Sequence, residues 1–213
     1  STLSSSSAAS DVYKRQIMNY LAHAYLSYSD GQLVGNMIAD FIRNRERFLY
    51  PGEIQKGIAL HRAIDTFTDA HPEIHEAKKI FSPLVRLYAG AFVDVSFDFF
   101  LANQLAENQE DFKKFTEKVY QKLWINESFL PENFRKMLVS MEKDNWLFNY
   151  QNDWGIGYSM QNVKRKAKYL DEEIPVFEAF LKHRSQIKTH FNNFFPELEA
   201  YCRNFVENLE MME

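Results

Sequence analysis

Residues that make tight turns are scarce in this chain. It contains seven glycines and six prolines among 213 residues, too few for the many turns of a multi-stranded protein. The long segments between them are rich in leucine, lysine and glutamate, which favour helices. With 46% hydrophobic residues, the chain has the composition of an ordinary globular protein. We therefore predict an all-α fold in a single compact helical domain.

The turn residues also divide the chain into predicted helices. Asp30-Gly31 and Pro51-Gly52 mark turns, and Pro72 suits the first position of a helix. In the last predicted helix, Pro196 marks a position where the helix could break. The predicted helices cover about residues 18–28, 33–45, 52–69, 73–87, 88–107, 110–124, 131–142, 145–150, 158–170 and 173–209.

The first 17 residues differ in composition from the rest of the chain. They form a run rich in serine and alanine, without an apolar core of signal-peptide length. We interpret residues 1–17 as a non-native leader or vector-derived tail and residues 18–213 as the helical domain. The formal net charge of −4 argues against a nucleic-acid-binding protein. The single cysteine, Cys202, cannot form an internal disulfide, which fits a cytoplasmic protein.

Two acidic residues interrupt an otherwise apolar segment. Between residues 87 and 106 the only charged residues are Asp94 and Asp98. Since one aspartate at a bilayer centre costs roughly 2.5–3.5 kcal/mol, we predict a buried helix and no membrane span. A buried carboxylate is costly unless it is protonated, paired or coordinated. The pair therefore indicates a cation or a cationic partner.

A histidine and an aspartate share the apolar face of the neighbouring helix. At about 100° per residue, the predicted helix 52–69 places His61 and Asp65 in the same half as Ile58 and Ile64. Side chains four residues apart project together, with Cβ atoms about 5–6 Å apart, within reach of one metal ion. The spacing predicts that both side chains point inward and contribute to a metal centre.

Other candidate site residues lie nearby in the sequence. His23 and Asp40 are each flanked by apolar residues, and Asp69 follows Asp65 by four positions. A structural polar network is the alternative interpretation, in which Asp94 pairs with Arg86 or Arg62. We favour the metal centre because two inward-facing pairs with the same spacing occur in neighbouring helices.

Four segments together resemble a known family. NYLAHAYLS, GNMIADFIR, GIALHRAIDTFTDAHP and AGAFVDVSFDFFLA are similar to motifs of the acyl carrier protein phosphodiesterases. The later segment DNWLFNYQNDWGIGYSMQNVKRKAKY also resembles that family, so the likeness covers nearly all of residues 18–205. It implies a fold distantly related to the HD phosphohydrolases. It also implies manganese-dependent hydrolysis of the phosphodiester between 4′-phosphopantetheine and a serine of acyl carrier protein.

The resemblance also implies roles for individual residues. We interpret Asp69 as a base for the attacking water, Arg62 or Arg86 as a phosphate clamp, and His23 as a ligand or an orienting residue. Mixed imidazole and carboxylate ligands suit Mn²⁺, with Mg²⁺ or Fe²⁺ as alternatives. The candidate metal ligands are His23, Asp40, His61, Asp65, Asp94 and Asp98.

One position departs from the family pattern. The family usually has a histidine after the second aspartate, where this chain has Phe99. If that histidine were a ligand or a general acid, activity here would be weakened or lost. This departure leaves two alternatives open: an HD-like hydrolase of a small phosphoester or nucleotide, and a catalytically impaired module that binds carrier protein.

A basic surface would suit the acidic carrier protein as partner. Arg43, Arg45 and Arg47 follow the predicted Asp40 helix, and they are our first candidate for this surface. A second run contains Lys164, Arg165, Lys166 and Lys168. Either run could also be an ordinary solvated face.

Overall fold

The structure is a computed structural model that describes residues 20–211. These residues form α-helices and short 3-10 helices and contain no strand, which confirms the all-α prediction. The predicted leader at residues 1–17 lies outside the described residues. No helix within residues 20–211 combines the length and the apolar character needed to cross a membrane. The relation to the HD phosphohydrolases stays a prediction.

The helices follow one another closely along the chain. Short 3-10 helices cover Ala39–Phe41, Glu46–Leu49, Arg86–Tyr88 and Glu127–Phe129. The α-helices are α1 (Tyr20–Tyr25), α2 (Asp30–Ile38), α3 (Gly52–Ala70), α4 (Pro72–Val85), α5 (Ala89–Leu105), α6 (Gln109–Ile125), α7 (Glu132–Lys143), α8 (Trp146–Asn149), α9 (Asp153–Lys166) and α10 (Val176–Glu210).

Several helices differ from the prediction in their boundaries or their continuity. The second helix ends at Ile38, and after one 3-10 turn the chain becomes extended at Ile42, so Asp40 lies at the end of the helical segment. Helix α9 begins at Asp153, five residues before the predicted start, and Gly155 is buried there against the Asn149 carbonyl. Helix α10 continues through Pro196, because buried residues on both sides of this exposed proline hold it against the core.

Helix α5 lies at the centre of the fold. It packs against α1, α4, α6, α9 and α10, and Phe92, Val93, Leu101 and Ala102 are essentially inaccessible to solvent. The apolar segment that carries Asp94 and Asp98 is therefore a buried helix, as predicted. This arrangement brings α1, which carries His23, against the helix that carries both aspartates.

Two glycines allow α2 and α3 to cross in backbone contact. A Cβ atom at Gly35 would lie 2.0 Å from the Ile54 carbonyl oxygen, and one at Gly57 would lie 2.2 Å from the Gln32 carbonyl oxygen. No side chain fits at either position without moving the backbone of the other helix. The close crossing places the end of α2 directly beside His61.

Candidate metal centre

Two buried histidines from different helices form the base of the centre. His23 in α1 and His61 in α3 are 1% and 2% exposed. Their rings stack with centroids 4.3 Å apart and planes inclined by 21°. Since neither imidazole can exchange its hydrogen bonds with water, the surrounding protein atoms determine which ring nitrogen carries a hydrogen.

Asn36 determines the state of both rings. Its side-chain Nδ2 donates to the His23 carbonyl (2.9 Å) and to Ser27 Oγ (3.1 Å), so Oδ1 faces Nδ1 of His23 at 2.6 Å. Nδ1 of His61 lies 2.9 Å from the main-chain carbonyl of Asn36. Amide oxygens only accept hydrogen bonds, so both Nδ1 atoms carry hydrogen. Each Nε2 is thereby the nitrogen that can bind a metal ion.

Two carboxylates face these Nε2 atoms. Nε2 of His61 lies 3.2 Å from an Asp65 oxygen and 3.4 Å from an Asp40 oxygen, and Nε2 of His23 lies 3.7 Å from the other Asp65 oxygen. Ligand atoms at about 2.1 Å from a common ion lie about 3.0–3.5 Å apart, so this spacing fits one ion. Donor atoms of His23, His61 and Asp65 all lie within 4.8 Å of one another.

The electrostatics of the centre favour positive charge at Nε2 of His61. Burial opposes protonation of this ring, but Asp40 and Asp65 outweigh that effect and raise its pKa to about 10. Burial and the neighbouring His61 lower the pKa of His23 to about 3. Within the described residues, Nε2 of His61 makes no well-aligned hydrogen bond although it is buried. A divalent cation would satisfy this nitrogen and both carboxylates together.

The burial of these ligands differs from the prediction at one position. His61 is buried as the periodicity predicted, but the Asp65 side chain is 50% exposed, so its predicted burial is wrong although its carboxylate lies beside Nε2 of His61. Asp40 is 9% exposed. The centre therefore meets solvent at Asp65, which gives a substrate a route to it.

Asp98 binds the backbone at the start of α1. Its two oxygens accept hydrogen bonds from the amides of Leu21 (3.1 Å) and Ala22 (3.0 Å). These are unsatisfied donors of the first helical turn, and a carboxylate is well suited to cap them. In this arrangement Asp98 fixes the helix that carries His23.

Asp94 and Asp69 are two further acidic residues near Asp65. Burial, together with the negative charges of Asp65 and Asp69, raises the pKa of Asp94 to about 8, and Lys78 partly offsets this effect. Asp69 lies one turn beyond Asp65 in α3, is 81% exposed, and pairs with Lys78 at 3.2 Å. Asp94 and Asp69 thus add two acidic groups near Asp65.

A sequence profile of the acyl carrier protein phosphodiesterases matches residues 18–198. The chain belongs to the acyl carrier protein phosphodiesterase family. An acyl carrier protein phosphodiesterase of Klebsiella pneumoniae (strain 342) is 30% identical over 190 residues, covering 88% of this chain and 98% of the relative. Those of Yersinia pestis and Escherichia coli O6:H1 are 30% and 28% identical, each covering 85% of this chain and 95% of the relative. No solved structure matches.

Phe99, which departs from the acyl carrier protein phosphodiesterase pattern, packs between α5 and α10. Its ring contacts Phe100 (5.3 Å) and Phe180 (5.4 Å), and the Arg184 guanidinium lies 4.9 Å above it. On a helix, residue 99 projects about 100° away from Asp98. None of these contacts involves the two histidines, so Phe99 lies outside the described centre.

The two arginines predicted to clamp the phosphate differ in their solvent exposure and in their backbone conformation. Arg62 follows His61 in α3 and is partly buried. Arg86 is exposed at the junction of α4 and α5, with φ 49° and ψ −117°. Such a backbone conformation is costly for a residue with a side chain and is retained only where the surroundings enforce it. The clamp role of either arginine stays a prediction.

The two basic runs of the sequence also differ in the structure. Arg43 and Arg45 are exposed in the segment after the Asp40 turn, and Arg47 is partly buried in the 3-10 helix Glu46–Leu49. Lys164, in contrast, is 9% exposed, and its ammonium group donates to the carbonyls of Glu172 and Ile174. The second run therefore lacks one of its supposed surface charges, and the first run is the better candidate surface.

Asn36 was not among the residues predicted for the site. The signal for it was present, since it is a polar residue in an apolar segment, four positions before Asp40. The same spacing singled out His61 and Asp65. An amide is a poor metal ligand beside histidine and aspartate, so the sequence pattern indicates the ligands more clearly than the residue that orients them.

Proposed function

We propose that this chain hydrolyses the phosphodiester that joins 4′-phosphopantetheine to a serine of acyl carrier protein. The products are apo acyl carrier protein and free 4′-phosphopantetheine. The observation that carries the proposal is the pair of buried histidines, both oriented by Asn36, with each Nε2 facing Asp65. Family membership supports this substrate, and relatives from bacteria support a cytoplasmic reaction.

The donor set fits a divalent ion, for which we propose Mn²⁺, with Mg²⁺ or Fe²⁺ as alternatives. His23 and His61 would bind it through Nε2, and Asp65 and Asp40 through their carboxylates. When bound, such an ion lowers the pKa of water and polarises a phosphoryl oxygen. Asn36 holds both rings in the required tautomer, so the centre is ordered before substrate arrives.

The remaining candidate residues act around this centre. Asp69, on the exposed side, would accept the proton of the attacking water. Arg62 or Arg86 would hold the phosphate through paired hydrogen bonds. Asp94 lies close enough to Asp65 for that carboxylate to contribute to its raised pKa, and it is retained as a candidate ligand. For Asp98 we propose that it acts on the centre by fixing α1.

For the carrier protein, we propose a docking surface at residues 43–49. The three arginines of this segment are followed by Phe48 (66% exposed) and Leu49 (83% exposed), and the Arg47 guanidinium lies 4.5 Å from the Phe48 ring centroid. Positive charge beside exposed apolar side chains suits an acidic partner that also offers an apolar face.

Charge reversal tests this surface. Replacing Arg43, Arg45 and Arg47 together by glutamate should raise KM for the carrier protein and reduce the salt dependence of association, while leaving turnover of a small phosphodiester unchanged. Steady-state kinetics at several salt concentrations measure both effects. An unchanged KM for the carrier protein would reject the docking role.

The hydrolase proposal is tested by mass spectrometry of holo acyl carrier protein after incubation with the Mn²⁺-loaded chain. Loss of the phosphopantetheine mass is expected from the parent, and no loss from Asp65→Asn. Asp30→Asn is the matched control, since that carboxylate is 59% exposed and pairs with Lys122 away from the centre. Turnover of small phosphoesters alone would favour the HD-like alternative, and binding without turnover the impaired module.

A further inference from the structure

A large cavity lies beside the metal centre and contains none of its ligands. Its volume is about 890 Å³, within the range of about 300–1,000 Å³ typical of small-molecule sites. Helices α7 and α9 contribute most of its walls. Part of this wall comes from the late segment that resembles the family and to which the metal centre gives no role.

Helix α9 lines the cavity with one continuous stripe. Trp154, Tyr158, Asn162 and Lys166 follow one another at intervals of four residues, and all four line the cavity. Residues at this spacing lie on one face of a helix. Trp154 is 62% exposed and Tyr158 is 50% exposed, so large aromatic surfaces are open to a ligand. Along α9 the stripe thus presents two aromatic side chains, then the Asn162 amide and then the Lys166 side chain.

Two residues of the lining, Tyr20 and Phe41, relate the cavity to the metal centre. The Tyr20 hydroxyl donates to Sδ of Met137 in α7 (3.1 Å), and both residues line the cavity. Burial, and then the negative charge of Asp40, raise the pKa of Tyr20. Phe41, also in the lining, directly follows Asp40 in the chain. The cavity therefore begins beside a proposed metal ligand.

We propose that this cavity binds the pantetheine arm of the substrate, with the phosphate end towards Asp40 and the thiol end along α9. The inference rests on the proposed function. The arm is a flexible chain with a dimethyl group, two amides and a terminal thiol. Aromatic side chains cover its apolar part, and the amides of Asn133 in α7 and Asn162 in α9, which both belong to the lining, offer donors and acceptors to its amide groups.

A binding titration on the full chain tests this separately from catalysis. The probe is S-methyl pantetheine, which has neither a phosphate nor a free thiol, added to the EDTA-treated protein. Tryptophan fluorescence, to which Trp146 and Trp154 of the lining contribute, reports binding. Tyr158→Ala should raise the Kd about fivefold to tenfold, because one half-exposed aromatic face is lost. Tyr169→Ala is the matched control: Tyr169 is 78% exposed and lies outside the cavity lining.

The outcomes separate this inference from the proposed function. Saturable binding that Tyr158→Ala weakens and Tyr169→Ala leaves unchanged supports the arm site, even if no hydrolysis is detected. Suppose instead that the parent hydrolyses holo carrier protein, and that Tyr158→Ala and Trp154→Ala have the same Kd for the probe and the same KM for the carrier protein as the parent. This result would overturn the arm site and leave the hydrolase proposal standing. Absence of probe binding to the parent would also overturn it.

Discussion

Asn36 holds two histidines through one side chain and one main-chain carbonyl. Its amide is fully buried, and its two donor contacts fix which side faces His23. Because the carbonyl of the same residue receives Nδ1–H of His61, both rings are oriented from a single position. The orientation of both metal-binding imidazoles thus depends on one uncharged residue that is not itself a proposed ligand.

Removing this amide should weaken metal binding more than folding. Asn36→Ala is expected to lower Mn²⁺ affinity about 10–100-fold, since His23 loses the acceptor that fixes its tautomer. Calorimetric titration measures the effect. Gln32→Ala is the control, because Gln32 is an equally buried amide of α2 whose oxygen accepts from the Tyr28 amide instead. Equal affinities in parent and Asn36→Ala would show that the amide does not orient the ligand.

The geometry of the metal centre depends on how closely helices α2 and α3 approach each other. Gly35 and Gly57 permit backbone contact at the crossing, and the same crossing puts the Asn36 carbonyl within 2.9 Å of His61. Any wider separation would break this contact and withdraw Asp40 from the imidazole. The glycines therefore act on the chemistry through helix packing.

A side chain at this crossing should be costly. Gly57→Ala is expected to lower the free energy of unfolding by about 1–3 kcal/mol, because its Cβ would collide with the Gln32 backbone. Gly52→Ala in the same helix meets no atom within 4 Å and should change stability by less than about 0.5 kcal/mol. Denaturant unfolding compares the two variants. A Gly57→Ala protein as stable as Gly52→Ala would mean that the crossing tolerates a wider spacing.

The sequence predicted the helices better than their relation to one another. Periodicity located His61 on a buried face because that face is a property of one helix. The exposure of Asp65 depends on which neighbours cover the edge of α3, and the sequence does not reveal them. The contact of Asp98 with the amide of Ala22 likewise requires the start of α1 to lie against α5. Local patterns thus identified the residues, while tertiary packing decided their roles.

Across the whole molecule, the centre joins parts of the chain that are otherwise separate. His23 comes from α1, Asp40 from the turn after α2, and Asp65 from α3. Helix α5 holds the start of α1 in place, because Asp98 accepts hydrogen bonds from its first amides. Asp69 is exposed one turn beyond Asp65, and the lining of the cavity includes both Phe41, the residue after Asp40, and residues of α9. The fold thus provides one enclosed side for the ion and an adjoining space for a long substrate.

The central claim is that these side chains from separate helices hold one cation. Anomalous diffraction from crystals grown with Mn²⁺ tests it most directly. We predict a single strong peak at about 2.0–2.3 Å from Nε2 of His23, Nε2 of His61 and one oxygen each of Asp65 and Asp40. A peak located elsewhere, or no peak at saturating Mn²⁺, would contradict the claim.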